Sequence, residues 1–111
     1  MHQRIAYWLL VVAALATAAP VAAQDTAAII KHGEALLTKN CARCHAIGRN
    51  GVGQHPEAPP FRTLSQKYAI DGLAEALAEG FSTGHPDTPE FVFEVDEVGA
   101  IIAYLKSIQD R

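Results

Sequence analysis

The stretch Cys41-Ala42-Arg43-Cys44-His45 decides how the rest of this sequence is interpreted. It contains both cysteines of the chain, three positions apart, with a histidine directly after the second. This C-x-x-C-H spacing is the attachment pattern of c-type haem. Each thiol can form a thioether with one vinyl group of a single haem, and the imidazole of the next residue can bind the iron. The sequence therefore predicts one covalent haem c per chain, anchored by Cys41 and Cys44 and ligated by His45.

Three other interpretations of the cysteine pair are weaker. A plain disulfide would suit an oxidising compartment. A thioredoxin-like redox pair is expected beside a βαβ unit, and the sequence has no alternating strand pattern. A zinc site needs more thiolates than one pair supplies, and the chain has no second pair. The histidine, the helical pattern before the motif and the shortage of other cysteines favour haem.

The first 23 residues are typical of a secretory signal peptide. Arg4 gives a positive start, Trp8–Ala19 is an apolar run, and small residues lead up to Ala23. We expect cleavage after Ala23, a single domain at residues 24–111 and a periplasmic or otherwise exported protein. The alternative is an uncleaved membrane anchor, but the many alanines make this segment weakly hydrophobic for a permanent span.

Charge restricts the partners. The chain has 111 residues and a formal net charge of −3. Only Arg4 among the charged residues lies in the leader, so residues 24–111 carry 8 basic and 12 acidic side chains, a net charge of −4. That balance argues against binding to nucleic acid or anionic lipid, which requires clustered positive charge. We expect redox proteins as partners, membrane contact only through those partners or an uncleaved leader, and a monomer.

Apolar residues at helical spacing predict an all-α fold. The first helix is expected from Asp25 to Asn40, with Asp25 or Thr26 as its N-cap. The last helix has the clearest pattern, because its apolar residues repeat every three or four positions. These residues are Val98, Ile101, Ile102, Leu105 and Ile108.

Two shorter helices are expected between them, at residues 64–69 and 73–79. Asp71 is the predicted cap of the second, and Gly80 its predicted end. Segments rich in glycine and proline predict two long loops, at 46–63 and 81–93. Because loops of this length are uncommon in so small a domain, a bulky prosthetic group at its centre would explain them.

Residues 24–111 resemble a small class I c-type cytochrome over nearly their whole length. Gly33 stands eight residues before the cysteine motif, where the family has a small residue beneath its last helix. Residues 101–106, Ile-Ile-Ala-Tyr-Leu-Lys, look like the family's terminal-helix signature. Residues 58–61, Ala-Pro-Pro-Phe, resemble the loop beside the iron-binding histidine. Residues 84–91 resemble the loop on the opposite side of the haem.

This resemblance implies a cytochrome c-like bundle of short helices, with long loops wrapped around one covalently bound haem. It also implies that Ile101 and Tyr104 pack over Gly33 and Leu37, where the first and last helices cross. The implied function is that of an electron carrier, which passes single electrons between redox proteins and is not an enzyme. Weak peroxidase-like activity would follow only from an open coordination site on the iron.

The resemblance assigns further residues to the haem site. The carbonyl of Pro59 is expected to accept a hydrogen bond from the imidazole of His45. Arg62 and Tyr68 follow the proline loop and are candidates to pair with the haem propionates. The alternative for these two residues is a surface cation and a half-buried aromatic ring.

The sequence departs from the family at the second axial ligand. Thr88 stands where family members commonly have methionine, and the only methionine is Met1, in the leader. Three outcomes are open. His85 can bind and give bis-histidine iron of lower potential. Water or an empty position can leave an open site, suited to ligand binding, sensing or peroxidase-like activity. Alternatively, a more distant ligand such as His55, His32 or a lysine can bind.

Overall fold

The computed structural model describes residues 16–18, 20–80, 85 and 90–111. These residues form three α-helices, α1 (Val21–Cys41), α2 (Leu73–Glu79) and α3 (Val95–Ile108). Two short 3₁₀ helices, Phe61–Gln66 and Ile70–Gly72, lie between α1 and α2. The described part of the chain contains no strand. The all-α prediction is therefore confirmed.

Helices α1 and α3 cross closely, and Gly33 makes this crossing possible. A Cβ atom at position 33 would overlap the backbone carbonyl of Ala100 and lie 3.0 Å from the backbone nitrogen of Ile101. Leu37 is 2% exposed and Ile101 is fully buried. The backbones thus touch directly, as the resemblance implied.

The core is continuous with this crossing. It contains apolar residues from all three helices, from both 3₁₀ helices and from the segment before α3. Its members are Leu37, Phe61, Ile70, Leu77, Phe93, Val98, Ile101, Tyr104, Leu105 and Ile108. Five of these ten residues lie in α3, so the last helix contributes most to the core.

One predicted helix start and one predicted cap are wrong, whereas the predicted bounds of the second short helix, 73–79, are confirmed. Helix α1 begins at Val21 after Pro20, four residues before Asp25. The Thr26 hydroxyl donates to the carbonyl of Ala22 at 2.8 Å, which is a bond within the helix and not a cap. Asp71 does not cap α2, because its carboxylate pairs with Lys106 at 2.8 Å.

Other boundaries agree with the pattern or shift slightly. Gly80 ends α2 with a φ of 91°, a conformation that glycine adopts readily. The helix expected at 64–69 is a 3₁₀ helix that begins three residues earlier, directly after Pro60. Helix α3 starts with a capping box that the sequence analysis missed, in which Glu94 and Glu97 satisfy each other's backbone N–H groups.

Several predictions concern residues that the structure does not describe. Most of the expected leader, residues 1–15 and 19, lies outside the described residues, as does Thr88. The loop expected at 81–93 is described only at His85 and at 90–93, where no helix is present. Among the described residues, no helix is long and apolar enough to cross a membrane.

Candidate haem-attachment site

The C-x-x-C-H motif begins in the last residue of α1. The carbonyl of Cys41 accepts hydrogen bonds from the backbone N–H groups of Cys44, at 3.1 Å, and His45, at 2.9 Å. The chain therefore makes one tight turn at the helix end. Both cysteines are free thiols and partly buried. Because the thiols are not joined, the structure does not support a plain disulfide.

The imidazole of His45 is held in one orientation. Its Nδ1 lies 2.7 Å from the carbonyl oxygen of Pro59, so this nitrogen carries the proton and donates it. The Phe61 ring packs beside the imidazole, with ring centres 4.5 Å apart. The hydrogen bond that the resemblance implied is present, and it leaves Nε2 as the ring nitrogen available to a metal.

Burial favours the neutral forms of the His45 imidazole and the Cys41 thiol. Burial lowers the pKa of His45; the hydrogen bond to Pro59 opposes this effect, and the charges of His85 and His55 add to it. A neutral imidazole is the form that binds metal. Burial, with a smaller effect from Cys44, raises the pKa of Cys41 to about 11. This direction is opposite to the lowered pKa values of reactive thioredoxin-like cysteines.

Residues 42–60, which contain most of the motif and the chain after it, are here called the attachment loop. This loop folds back onto the motif, and Gly53 permits the close approach. A Cβ atom at position 53 would overlap the carbonyl oxygen of Cys44. The same carbonyl accepts a hydrogen bond from the backbone of His55 at 3.3 Å. The backbone N–H of Phe61 donates to Ala46 at 3.0 Å. The sequence pattern predicts a loop at Gly53 but contains no signal for this contact.

The C-terminal half of α3 fixes the loop from the other side. The Tyr104 hydroxyl donates to the carbonyl of Ile47 at 3.0 Å. Arg49 donates to the carbonyl of Ser107. These contacts join residues more than 50 positions apart in sequence. They hold the segment that follows His45 against the core.

Gln109, just after α3, contributes a second set of contacts that sequence reasoning missed. Its side-chain amide nitrogen donates to the carbonyls of Phe61 and Leu105, each at 2.8 Å. Its amide oxygen accepts a hydrogen bond from the backbone of Ser65 at 2.8 Å. One glutamine therefore positions the 3₁₀ helix that carries Phe61 beneath the His45 ring. No local pattern distinguishes it from a solvated glutamine at a helix end.

The two proposed propionate partners are placed differently. The Arg62 guanidinium donates to the carbonyl of Gly51 at 2.8 Å and lies 3.8 Å from a carboxylate oxygen of Asp110. Arg62 therefore already bridges the attachment loop and the chain terminus. Tyr68 is 53% exposed, and the structure does not bring it into the group of described residues around His45.

His85 is brought towards the motif across a wide gap in the sequence. Its ring centre lies 6.2 Å from that of His45, with the ring planes inclined at 35°. His85 is half-buried. Among the described residues, no cluster of three or more His, Cys, Asp or Glu side chains is arranged to hold a metal ion. A zinc site is therefore not supported, whereas the thiols and the oriented imidazole fit a haem.

Comparisons with known proteins agree with this site. The family model described as cytochrome c matches residues 30–109. Cytochrome c-552 of Bradyrhizobium diazoefficiens is 28% identical over 109 residues, covering 98% of this chain and 99% of that protein. No solved structure matches significantly. The matched region contains the cysteine motif, Pro59 and all of α3.

Proposed function

We propose that this chain, which belongs to the cytochrome c family, is an exported monohaem electron carrier. One haem c is held by thioethers to Cys41 and Cys44, and its iron is ligated by His45. When bound, the haem supplies a single iron that alternates between the ferric and ferrous states. The protein gains one electron from a redox donor and passes it to a redox acceptor, without chemical change to any side chain.

The observation that carries this proposal is the orientation of His45 beside two free thiols. The Pro59 carbonyl fixes Nδ1 as the protonated nitrogen, so Nε2 is the metal-binding atom. The hydrogen bond that Nδ1 donates also raises the basicity of Nε2, the nitrogen that binds the metal. Phe61 packs on the same ring and restricts its rotation. A surface histidine would need neither contact.

Attachment needs only the groups present and a haem. Cys41 and Cys44 would hold the haem: each S–H would add across one vinyl group, its sulfur forming a bond to one vinyl carbon and its hydrogen going to the other. No oxidant is consumed, and the thiol must be reduced for the reaction to occur. Two free thiols at one helix end meet this requirement. Covalent attachment also stabilises a domain that is too small to bind a large cofactor by burial alone.

The test of attachment is haem retention. Holoprotein from a host that matures c-type cytochromes should keep its haem through denaturation and acidified organic solvent. Cys41→Ser and Cys44→Ser should each weaken retention, and the double variant should lose it. Ser107→Ala is a matched control that leaves the thiols intact. Release of intact haem from the unaltered protein would contradict the proposal.

Electron transfer and processing need separate measurements. Voltammetry of the holoprotein should show one reversible one-electron wave, and two waves or none would contradict a monohaem carrier. The mass of the exported protein should correspond to a chain beginning at Gln24 plus one haem. Light scattering should give the mass of a monomer. A retained leader would change the proposed processing and would leave the haem assignment intact.

A further inference from the structure

The ring of His85 faces that of His45, at a larger separation than the Phe61 ring. Phe61 lies in contact with the same imidazole at a centre-to-centre distance of 4.5 Å, whereas His85 lies at 6.2 Å. The interplanar angle of 35° is far from the perpendicular, edge-to-face arrangement that aromatic pairs often adopt at larger separations. Ring pairs without a metal reach such separations too, as Phe91 and Phe93 do at 6.4 Å, but two imidazoles also carry nitrogen atoms that can bind a metal lying between them.

A shared metal explains the spacing. Metal–imidazole bonds are about 2.0–2.1 Å long, and with about 1.2 Å from nitrogen to ring centre, two imidazoles on opposite sides of one metal have centres roughly 6.4 Å apart. The observed distance is 6.2 Å. Rings on opposite sides of a metal can rotate about the common axis, so an inclination of 35° is allowed.

We propose that His85 is the second axial ligand of the iron, so that the haem is six-coordinate with two histidines. The inference rests on the proposed function, because it requires a haem attached beside His45. It goes further by assigning the position that the missing methionine leaves undetermined. Two histidines alone do not make a metal site, since zinc takes four ligands. They suffice for an iron whose other four ligands are the porphyrin nitrogens.

The chain holds the segment that carries His85 at both ends. The N–H of Gly80 donates to Ala76 at 2.9 Å, and the N–H of Phe93 donates to the carbonyl of Leu77 at 3.0 Å. Residues 80 and 93, on either side of His85 in the sequence, are thus tied to the same short helix, α2. His85 itself is half-buried, and its ring centre lies 6.2 Å from that of His45.

The other candidate histidines are exposed. His55 is exposed, its backbone packs against Cys44 on the attachment loop, and its Nδ1 accepts a hydrogen bond from the backbone of Glu57 at 3.2 Å. His32 borders a surface groove between α1 and the start of α3, together with Ile29 and Asp96. His85, in contrast, is half-buried and its ring faces that of His45.

Bis-histidine ligation has direct consequences for the iron. It makes the iron low-spin in both oxidation states and leaves no open position for carbon monoxide. It also favours the ferric state more than a methionine ligand does, because the thioether raises the potential. The protein would then work as an electron carrier at lower potential than relatives that have the methionine.

The test uses the spectra of the holoprotein. We expect a low-spin ferric signal typical of two imidazoles in electron paramagnetic resonance, and a reduced spectrum that carbon monoxide does not change. His85→Ala should lose the low-spin signal and bind carbon monoxide, and added imidazole should restore the low-spin state. His55→Ala and His32→Ala are matched controls and should keep the spectrum of the unaltered protein.

The outcomes separate this inference from the proposed function. If the unaltered holoprotein is high-spin or binds carbon monoxide rapidly, His85 is not the ligand and the site is open, although covalent haem would still support the carrier. If His55→Ala or His32→Ala alone loses the low-spin signal, the assignment is also overturned. If His85→Ala does not yield holoprotein, the electron paramagnetic resonance signal of the unaltered protein decides whether the iron has two imidazole ligands. If no haem is covalently attached at all, the proposed function itself fails.

Discussion

The helix crossing and the attachment loop are built by different means. At the crossing of α1 and α3, the backbones touch at Gly33, and the surrounding side chains are almost fully buried. In the attachment loop, residues 42–60, many side chains are exposed, and Val52 is 86% exposed. Backbone hydrogen bonds and contacts from α3 hold that loop in place. The first region thus depends on apolar burial, and the second on a few directed polar contacts.

This difference separates stability from the geometry of the site. Apolar burial contributes about 25 cal/mol per Å², so the crossing and its core supply most of the stabilisation. A single hydrogen bond contributes only about 0.5–1.5 kcal/mol net. The loop contributes less to stability but sets the position of His45. Changes at the crossing should therefore affect global unfolding, and changes in the loop should affect the haem site more specifically.

The largest effect is expected at the crossing. Gly33→Val places a branched side chain against a backbone carbonyl that cannot move without separating the helices. We expect a loss of at least about 3 kcal/mol in the free energy of unfolding, or no folded holoprotein. Chemical denaturation followed by far-ultraviolet circular dichroism measures this loss.

Gly99→Ala is the matched control on the opposite helix. A Cβ atom at position 99 would meet nothing within 4 Å, and alanine is favoured over glycine inside a helix by about 0.8–1.0 kcal/mol. This variant should be more stable than the unaltered protein. Equal destabilisation by both variants would show that the direct backbone contact at Gly33 is not the cause.

A smaller effect is expected in the attachment loop. Gly53→Ala should push the loop away from the carbonyl of Cys44, at a cost of about 1–3 kcal/mol. The spectrum of the haem should change as well, since the ligand His45 directly follows Cys44 in the chain. Gly48→Ala, where a Cβ atom meets nothing within 4 Å, should leave stability within about 0.5 kcal/mol. An unchanged spectrum in Gly53→Ala would argue that the loop does not set the ligand geometry.

The hydrogen bond from Tyr104 to Ile47 links the two regions. Its removal should lower the free energy of unfolding by about 1 kcal/mol. Tyr104→Phe leaves the Ile47 carbonyl without its donor, which costs about 0.5–1.5 kcal/mol. Burial, and then the charge of Glu34, raises the pKa of Tyr104 above its ordinary value of 10. The hydroxyl's contribution is therefore fully present below pH 10 and is lost as the pH rises through the folded-state pKa.

The expected signature is pH-dependent. Tyr104→Phe should be less stable than the unaltered protein at neutral pH, and the difference should shrink above pH 10. Unfolding curves of both proteins between pH 7 and alkaline pH measure it. A difference that grows with pH would contradict the assigned role of the hydroxyl.

The smallest effect is expected at the ion pair between Asp71 and Lys106. Its side chains are 72% and 54% exposed, so solvent screens the attraction. Asp71→Asn should cost about 1 kcal/mol or less, and the cost should fall further as salt is added. A double-mutant cycle with Lys106→Gln isolates the pair. A loss comparable to that of Gly33→Val would overturn the ranking of these contacts.

The sequence predicted features that repeat locally or match a family pattern. The apolar stripe of α3 and the role of Gly33 are confirmed, and the hydrogen bond between His45 and Pro59 is present as the resemblance implied. The stripe is predictable because burial of one helix face requires apolar residues every three or four positions. The glycine is predictable only through the resemblance, since nothing local shows which helix will cross it.

Other features depend on partners that are distant in sequence. Gln109 contacts Phe61 across 48 positions, and no neighbouring residue signals that contact. Asp71 has the residue type of a helix cap, yet it pairs with Lys106 of α3 instead. The spacing between His85 and His45 belongs to the same class, because these two residues are 40 positions apart in the sequence.

Several of the contacts that hold the attachment loop and the adjoining 3₁₀ helix come from the last residues of α3 and from Gln109. Tyr104, Ser107 and Gln109 meet partners that precede them by 57, 58 and 48 positions. Until α3 has docked, these three contacts are absent. The segment that carries Cys44 and His45 then has fewer fixed points than in the folded domain.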